Sequence, residues 1–160
     1  MRHVTRLSTL LALALVGQTP AVMANNLVFC SEGSPAGFDT AQYTTATDND
    51  AAQPIYNRLV EFERGGTAVH PALATRWEVT EDGLRYTFHL REGVSFHSNK
   101  AFTPSRPFNA DDVLFTFNRM LDRQHPFRKA YPTEFPYFVS MGLDKNIAGI
   151  ERTGPMTVVF

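Results

Sequence analysis

Short apolar runs alternate with turn residues along most of the chain, and a helical period replaces them in two places. The compact run Asn26-Leu27-Val28-Phe29-Cys30 predicts a buried strand, closed by the loop signals Gly33, Ser34, Pro35 and Gly37. Residues 38–49 are Thr-rich and have no period, so they read as a loop. Ala51, Ile55 and Leu59 then share one face and predict a helix over 50–59, with Asp50 at its start and Pro54 near its first turn. Val60-Glu61-Phe62 reads as a strand and Arg64-Gly65-Gly66-Thr67 as a turn. Trp77-Glu78-Val79 and residues 85–90 predict two strands around Thr80-Glu81-Asp82-Gly83, where a glycine suits positive φ. In the second strand Tyr86, Phe88 and Leu90 point one way and Arg85, Thr87 and His89 the other, which predicts one covered face and one wet face.

After a turn at Glu92-Gly93, residues 94–96 read as another short strand and 102–108 as a Pro-containing loop. Asn109 is placed to cap a helix whose first turn holds Asp111 and Asp112, where carboxylates meet the positive end of the dipole. Ala110, Val113, Leu114, Phe117, Met120 and Leu121 form its apolar stripe at helical spacing. Residues 125–138 read as a loop dense in proline and aromatics. Thr153-Gly154-Pro155 is a turn, and residues 156–160 begin a strand. The sequence stops inside that strand, so the chain is expected to be the front part of a longer protein. Strands interleave with helices without repeats, which predicts a mixed α/β or α+β fold.

Charge and composition narrow the function classes. The 160 residues carry 15 Lys+Arg against 16 Asp+Glu, and this near-balance removes the basic excess that a sequence-independent grip on nucleic acid needs. Residues 1–24 read as a secretory signal peptide. Arg2 and Arg6 precede a Leu-rich run over 7–16, Pro20 breaks it, and Val22-Met23-Ala24 offers a cleavage site. That run is too short to span a bilayer, which takes about 20 residues. Cleavage removes two arginines and no acid, leaving 13 basic and 16 acidic side chains, a net charge of −3. A single cysteine excludes a closed disulfide framework and a multi-cysteine metal cluster. For an exported chain, Cys30 is either a buried free thiol or one half of a disulfide whose partner lies beyond residue 160, and the second is favoured.

Few residues are arranged for chemistry. His70, His89, His97 and His125 lack the spacing of a metal site, and no metal or cofactor is expected. Ser95-Phe96-His97-Ser98 is a strand end, no Gly-x-Ser-x-Gly elbow occurs, and no phosphate-binding glycine loop is present. Asp111 and Asp112 are explained by the start of their helix, so no catalytic residue is assigned. The aromatic, Pro-rich stretch Tyr131-Pro132-Thr133-Glu134-Phe135-Pro136-Tyr137-Phe138 suits either the wall of an apolar pocket or plain packing onto the core.

Several blocks together carry a family resemblance. They are Leu27-Val28-Phe29-Cys30-Ser31-Glu32-Gly33-Ser34-Pro35, Tyr56-Asn57-Arg58-Leu59-Val60-Glu61-Phe62 and Pro71-Ala72-Leu73-Ala74 leading to Trp77-Glu78-Val79. Tyr86-Thr87-Phe88-His89-Leu90-Arg91-Glu92-Gly93-Val94, Phe108-Asn109-Ala110-Asp111-Asp112-Val113 with Phe115-Thr116-Phe117, and Phe138-Val139-Ser140-Met141-Gly142-Leu143 complete them. The chain resembles the front third of the periplasmic substrate-binding proteins of peptide and nickel ABC importers, and its Cys-Ser-Glu-Gly-Ser-Pro start is similar to the dipeptide branch. The resemblance implies a bilobed periplasmic binding protein that closes on its ligand by hinge motion, is monomeric and is not an enzyme. It implies that 25–56 are the first strands of the main lobe and 57–160 the family's extra small α+β domain, truncated at its end. It also implies that Cys30 pairs with a distant cysteine. For the ligand, the resemblance places Thr44, Thr45, Ala46 and Thr47 where family members offer backbone groups to a peptide, and Tyr137 and Phe138 in an aromatic wall of the cleft. The partners implied are a short peptide and the permease subunits of an ABC transporter. The same scaffold could instead hold haem, a nickel chelate, glutathione or an antimicrobial peptide, and a separate alternative is an exported hydrolase whose catalytic residue lies further along the chain.

Overall fold

A computed structural model describes residues 28–160, so the signal peptide over 1–24 and the start of the run at Asn26-Leu27 lie outside the described residues. The chain divides into two units, Met1–Cys30 and Ser31–Phe160. Of the first, Val28, Phe29 and Cys30 are described; all three are exposed and none is in a strand. That corrects the buried strand expected there. An apolar run becomes a strand only where a neighbour takes its N–H and C=O groups, and among the described residues none does.

The second unit begins with an irregular stretch that leads into α1, Ala46–Ala52. The helix expected over 50–59 therefore starts four residues earlier and stops sooner. Thr45 and Asp48 form a reciprocal capping box that starts it at Ala46, and Pro54 forbids its continuation. A hairpin follows, β1 (Val60–Phe62) against β2 (Val69–Pro71), with Glu61 facing His70 and Gly65 turning the chain at φ +75°.

Four antiparallel strands make the main sheet: β3 (Ala74–Val79), β4 (Tyr86–Leu90), β5 (Glu151–Gly154) and β6 (Thr157–Val159), in the order β3-β4-β6-β5. Trp77 pairs with Phe88, and Phe88 with Val158, so one face carries a continuous aromatic and aliphatic row. Gly83 sits at φ +69° in the β3–β4 turn, as the sequence predicts. Between β4 and β5 the chain crosses through α2 (Ala110–Leu121), α3 (Pro126–Ala130), α4 (Pro136–Ser140) and α5 (Leu143–Asn146). The apolar stripe of α2 closes over the sheet. Leu90, Phe108, Ala110, Val113 and Val158 are the buried centre, and Phe88, Leu114, Phe117, Met156 and Phe160 pack around them. Its start is fixed by a second capping box: Asn109 Oδ1 accepts from Asp111 N at 2.9 Å, while Asp112 Oδ2 accepts from Asn109 N at 2.9 Å.

Two further expectations change. Residues 94–96 are not a strand: Val94 C=O accepts a single bond from Phe108 N at 2.9 Å, and no ladder forms. Residues 125–138 are not one loop but hold α3 and most of α4. Each short helix opens with a proline at its first position, where the missing N–H costs nothing, and His125 Nδ1 accepts from Phe127 N at 3.2 Å to cap α3. Strands β2 and β5 and helix α5 carry no periodic signal and emerge only from pairing and packing.

Candidate functional site

Thr44, Thr45, Ala46 and Thr47 form the entry to α1 rather than a free loop. Thr45 is its cap: the Thr45 hydroxyl accepts from Asp48 N at 3.2 Å and donates to Asp48 Oδ2 at 2.7 Å. The other oxygen of Asp48 accepts from Ala36 N at 2.8 Å, so one carboxylate staples the preceding loop to the helix start. Asp48 is the buried charged residue of the described chain, 3% exposed. The Thr45 hydroxyl and the Ala36 amide, outweighing the burial that opposes them, hold its carboxyl below the ordinary value. Asn49 Nδ2 donates to the carbonyls of Thr44 and Thr45 at 3.1 and 3.0 Å. The N–H groups of Ala46 and Thr47, in the first turn, have no intrahelical acceptor. Upstream, the Tyr43 ring packs on the backbone of Gly37, occupying the space that any Cβ there would need.

Tyr137 and Phe138 are separated by the geometry of α4. Phe135 and Phe138, three residues apart on one face, are 1% and 4% exposed and anchor the helix in the interior. Tyr137 is turned the other way and is 55% exposed. Of the two aromatics expected in a cleft wall, Tyr137 presents its ring to the surface and Phe138 is buried in the interior.

The segment ahead of Thr44 and the segment ahead of Tyr137 are joined by side chains that sequence inspection did not single out. Asp39 receives both terminal nitrogens of Arg119, at 2.6 and 2.8 Å. Gln42 Nε2 donates to Asp39 Oδ2 at 2.7 Å, and Thr133 Oγ1 donates to Gln42 Oε1 at 2.7 Å. The Arg119 guanidinium lies 5.1 Å from the Phe127 ring centre and 5.6 Å from that of Phe135, which is two residues after Thr133. Burial raises the Asp39 pKa, but the Arg119 bonds and the amides of Ala41 and Gln42 outweigh it and leave the carboxyl below its ordinary value. Local signal for this existed only at Thr45-x-x-Asp48, the spacing of a capping box. Asp39 and Gln42 are close in sequence, but Arg119 and Thr133 lie 80 and 91 positions from their partners, too far to announce themselves.

The remaining candidates have structural placements. Asp111 pairs with Arg152 at 2.8 Å and Asp112 with Arg106 at 2.7 and 3.0 Å. His125 is a cap, His70 and His97 are exposed, and His89 Nε2 lies 3.4 Å from Glu78 Oε1. Among the described residues no three His, Cys, Asp or Glu side chains converge. Cys30 is an exposed free thiol in the described residues. A depression of about 160 Å³ between α2, α4 and α5 is lined by Leu121, Arg128, Phe135 and Val139. It takes in Glu134 and Phe135 of the Pro-rich stretch but none of Thr44–Thr47, Tyr137 or Phe138, and pockets for drug-sized ligands start at about 300 Å³.

Comparison with known proteins adds the family context. Residues 68–160 match the family described as Bacterial extracellular solute-binding proteins, family 5 Middle. Di/tripeptide-binding protein 1 of Pseudomonas aeruginosa is 67% identical over 153 residues, covering 95% of this chain and 28% of that protein. Heme-binding protein A of Haemophilus influenzae is 46% identical over 135 residues, covering 84% of this chain and 25% of that protein. Among solved structures, the dipeptide binding protein of Pseudoalteromonas sp. SM9913 in complex with Met-Leu superposes with a TM-score of 0.77 at 39% identity, over 82% of this chain and 26% of that one. The chain thus spans less than a third of the length of the curated relatives it matches.

Proposed function

The chain belongs to the bacterial extracellular solute-binding proteins of family 5, and on that footing we propose that the protein is a periplasmic receptor that captures di- and other short peptides and delivers them to an ABC transporter. The observation that carries this reading is the 67% identity, across nearly the whole chain, to a protein named for di- and tripeptide binding. In this reading 1–24 direct export, 25–56 open the main lobe, 57–160 are the extra small domain, and Cys30 is disulfide-bonded to a cysteine beyond residue 160. The protein acts as a monomer, without catalysis or a bound cofactor, and meets the membrane-embedded permease subunits when closed.

The ligand residues on this part of the chain are Thr44, Thr45, Ala46, Thr47 and Tyr137, with Phe138 anchoring α4 in the interior. A capped helix start suits the task. The carboxylate of Asp48 consumes the local donors that would otherwise vary, and leaves the N–H groups of Ala46 and Thr47 fixed in direction for a peptide carbonyl. A rigid edge lowers the ordering cost that binding must offset.

Isothermal titration of the full-length protein with a panel of dipeptides and tripeptides, alongside haemin, tests the reading. Saturable 1:1 binding of several dipeptides, with haemin weaker, is the expected result. Haemin binding with indifference to every peptide would replace it with the reading that the Haemophilus relative suggests. Release of free amino acids from a bound dipeptide would move the protein to the hydrolases.

A further inference from the structure

Five residues from distant parts of the chain close a ring. Arg119, from the last turn of α2, holds Asp39 through two bonds of 2.6 and 2.8 Å. Asp39 accepts from the Gln42 amide at 2.7 Å, and Gln42 in turn accepts from the Thr133 hydroxyl at 2.7 Å. Two residues further on, Phe135 lies under the Arg119 guanidinium, 5.6 Å from ring centre to Cζ, and closes the circuit. Asp39 also accepts from Ala41 N, Arg119 also lies over Phe127, and the Thr133 hydroxyl also lies 3.4 Å from Glu134 O within its own segment. The Gln42–Thr133 bond is different. It is the ring's one hydrogen bond between the segment that runs into Thr44–Thr47 and the segment that runs into Tyr137.

We propose that Gln42 and Thr133 are positioning residues for the ligand, their hydrogen bond fixing the Thr44–Thr47 edge relative to the Tyr137 ring; this rests on the peptide-receptor reading above. A side-chain amide is well suited to the role. Gln42 donates with one end and accepts with the other, so Asp39, already fixed by Arg119, sets the orientation of the amide and hence where Thr133 must sit. Thr133 lies four residues before Tyr137, and the buried Phe135 and Phe138 make the intervening turn stiff, so a shift at Thr133 is carried to the exposed ring. On the other side Gln42 is two residues from Thr44, and the Asp48 staple between Ala36 and Thr45 passes its position to the helix start. Two rigid pieces meet through this neutral hydrogen bond on one arm of the ring and through the Asp39–Arg119 pair over Phe135 on the other. Removing the hydrogen bond leaves each piece folded and held by the Arg119 arm, and frees the Thr133 end to shift relative to Gln42.

The test uses the full-length protein, calorimetric titration with Met-Leu, and thermal unfolding of each variant. Thr133→Val keeps the shape and removes the donor; Gln42→Met keeps the length and removes both polar ends; Thr133→Ser keeps the hydroxyl. Each of the first two is expected to weaken Met-Leu binding between about twofold and tenfold, the span a neutral hydrogen bond supports. Their combination should be no weaker than the worse single variant, because both remove the same bond. Thr133→Ser should bind within about twofold of the unchanged protein, the rescue that loss of packing alone would not produce. Affinity unchanged in both Thr133→Val and Gln42→Met, with only the unfolding temperature lowered, makes the bond purely structural and overturns the proposal. No binding of Met-Leu or of any other dipeptide or tripeptide in the panel by the unchanged protein overturns the receptor reading itself, and the two failures are distinguished by that control.

Discussion

Breaking the Asp39–Arg119 pair should be among the most damaging single-contact changes in the described chain, and its size follows from the geometry. The two side chains are 24% and 12% exposed, so the pair is mostly dry but not sealed. Removing one partner of a fully buried ion pair costs about 3–5 kcal/mol, and the residual exposure of Asp39 brings this pair toward the lower end. Asp39→Ala is therefore expected to cost about 3 kcal/mol. Arg119→Ala also removes a guanidinium stacked over Phe127 and Phe135, at about 0.5–1 kcal/mol each, and should cost about 4 kcal/mol. Because both substitutions delete the same two charge-assisted bonds, the double variant should lie about 2 kcal/mol short of the two single costs taken together. Arg119→Lys should recover little, since one ammonium can neither reach both carboxylate oxygens in a fork nor stack as a plane. Urea denaturation of the full-length protein and its three alanine variants, followed by circular dichroism, measures the cycle. A coupling below about 0.5 kcal/mol would refute the view that this clasp holds the entry to α1 against the helical corner.

Other expectations concern single positions. Asp48 has its folded pKa lowered by the Thr45 hydroxyl and the Ala36 amide, so it contributes stability that is fully present above the ordinary carboxylate pKa and is lost as pH falls through the lower folded value. Asp48→Asn should flatten the acid limb of a plot of unfolding temperature against pH, and an unchanged acid limb would show that the staple does not titrate as described. Phe138→Ala should cost about 3–5 kcal/mol of stability by opening a cavity, whereas Tyr137→Ala should leave stability within about 1 kcal/mol and weaken Met-Leu binding; denaturation and titration of the pair would expose the reverse assignment. Gly37→Ala should evict the Tyr43 ring from its place on the backbone and lower the unfolding temperature, and an undisturbed Tyr43 in a crystal structure of that variant would contradict it.

Local chemistry made much of this chain readable. The α2 stripe with Asn109 at its head, the β3–β4 hairpin around Gly83, and β1 are all short-range patterns, each decided by side-chain period or by a residue that tolerates positive φ. So were several of the family blocks, because Leu59–Phe62, Trp77–Val79, Tyr86–Leu90 and Ala110–Phe117 lie in or beside those same elements. Where the reading slipped, a local signal was present but outranked. Ala51, Ile55 and Leu59 have a helical spacing, yet Thr45 with Asp48 starts α1 earlier and Pro54 ends it. Two prolines that mark a loop in sequence open helices α3 and α4 instead, since a proline at the first helical position forfeits no bond.

What the tertiary structure alone decided is every relation between residues distant in the chain. Strand β6 lies between β4 and β5, an order that no short window specifies, because pairing partners are chosen by which apolar face the α2 stripe can cover. The same holds for the candidate site. Composition points only to the aromatic stretch around Tyr137, and the resemblance assigns Thr44–Thr47 and Tyr137, but neither indicates that Phe138 points inward while Tyr137 points outward, nor that Asp39, Gln42, Arg119 and Thr133 join them. Hydrogen bonds and ion pairs between side chains 80 and 91 positions apart leave no periodicity behind, because only a folded backbone brings such groups within 3 Å of one another.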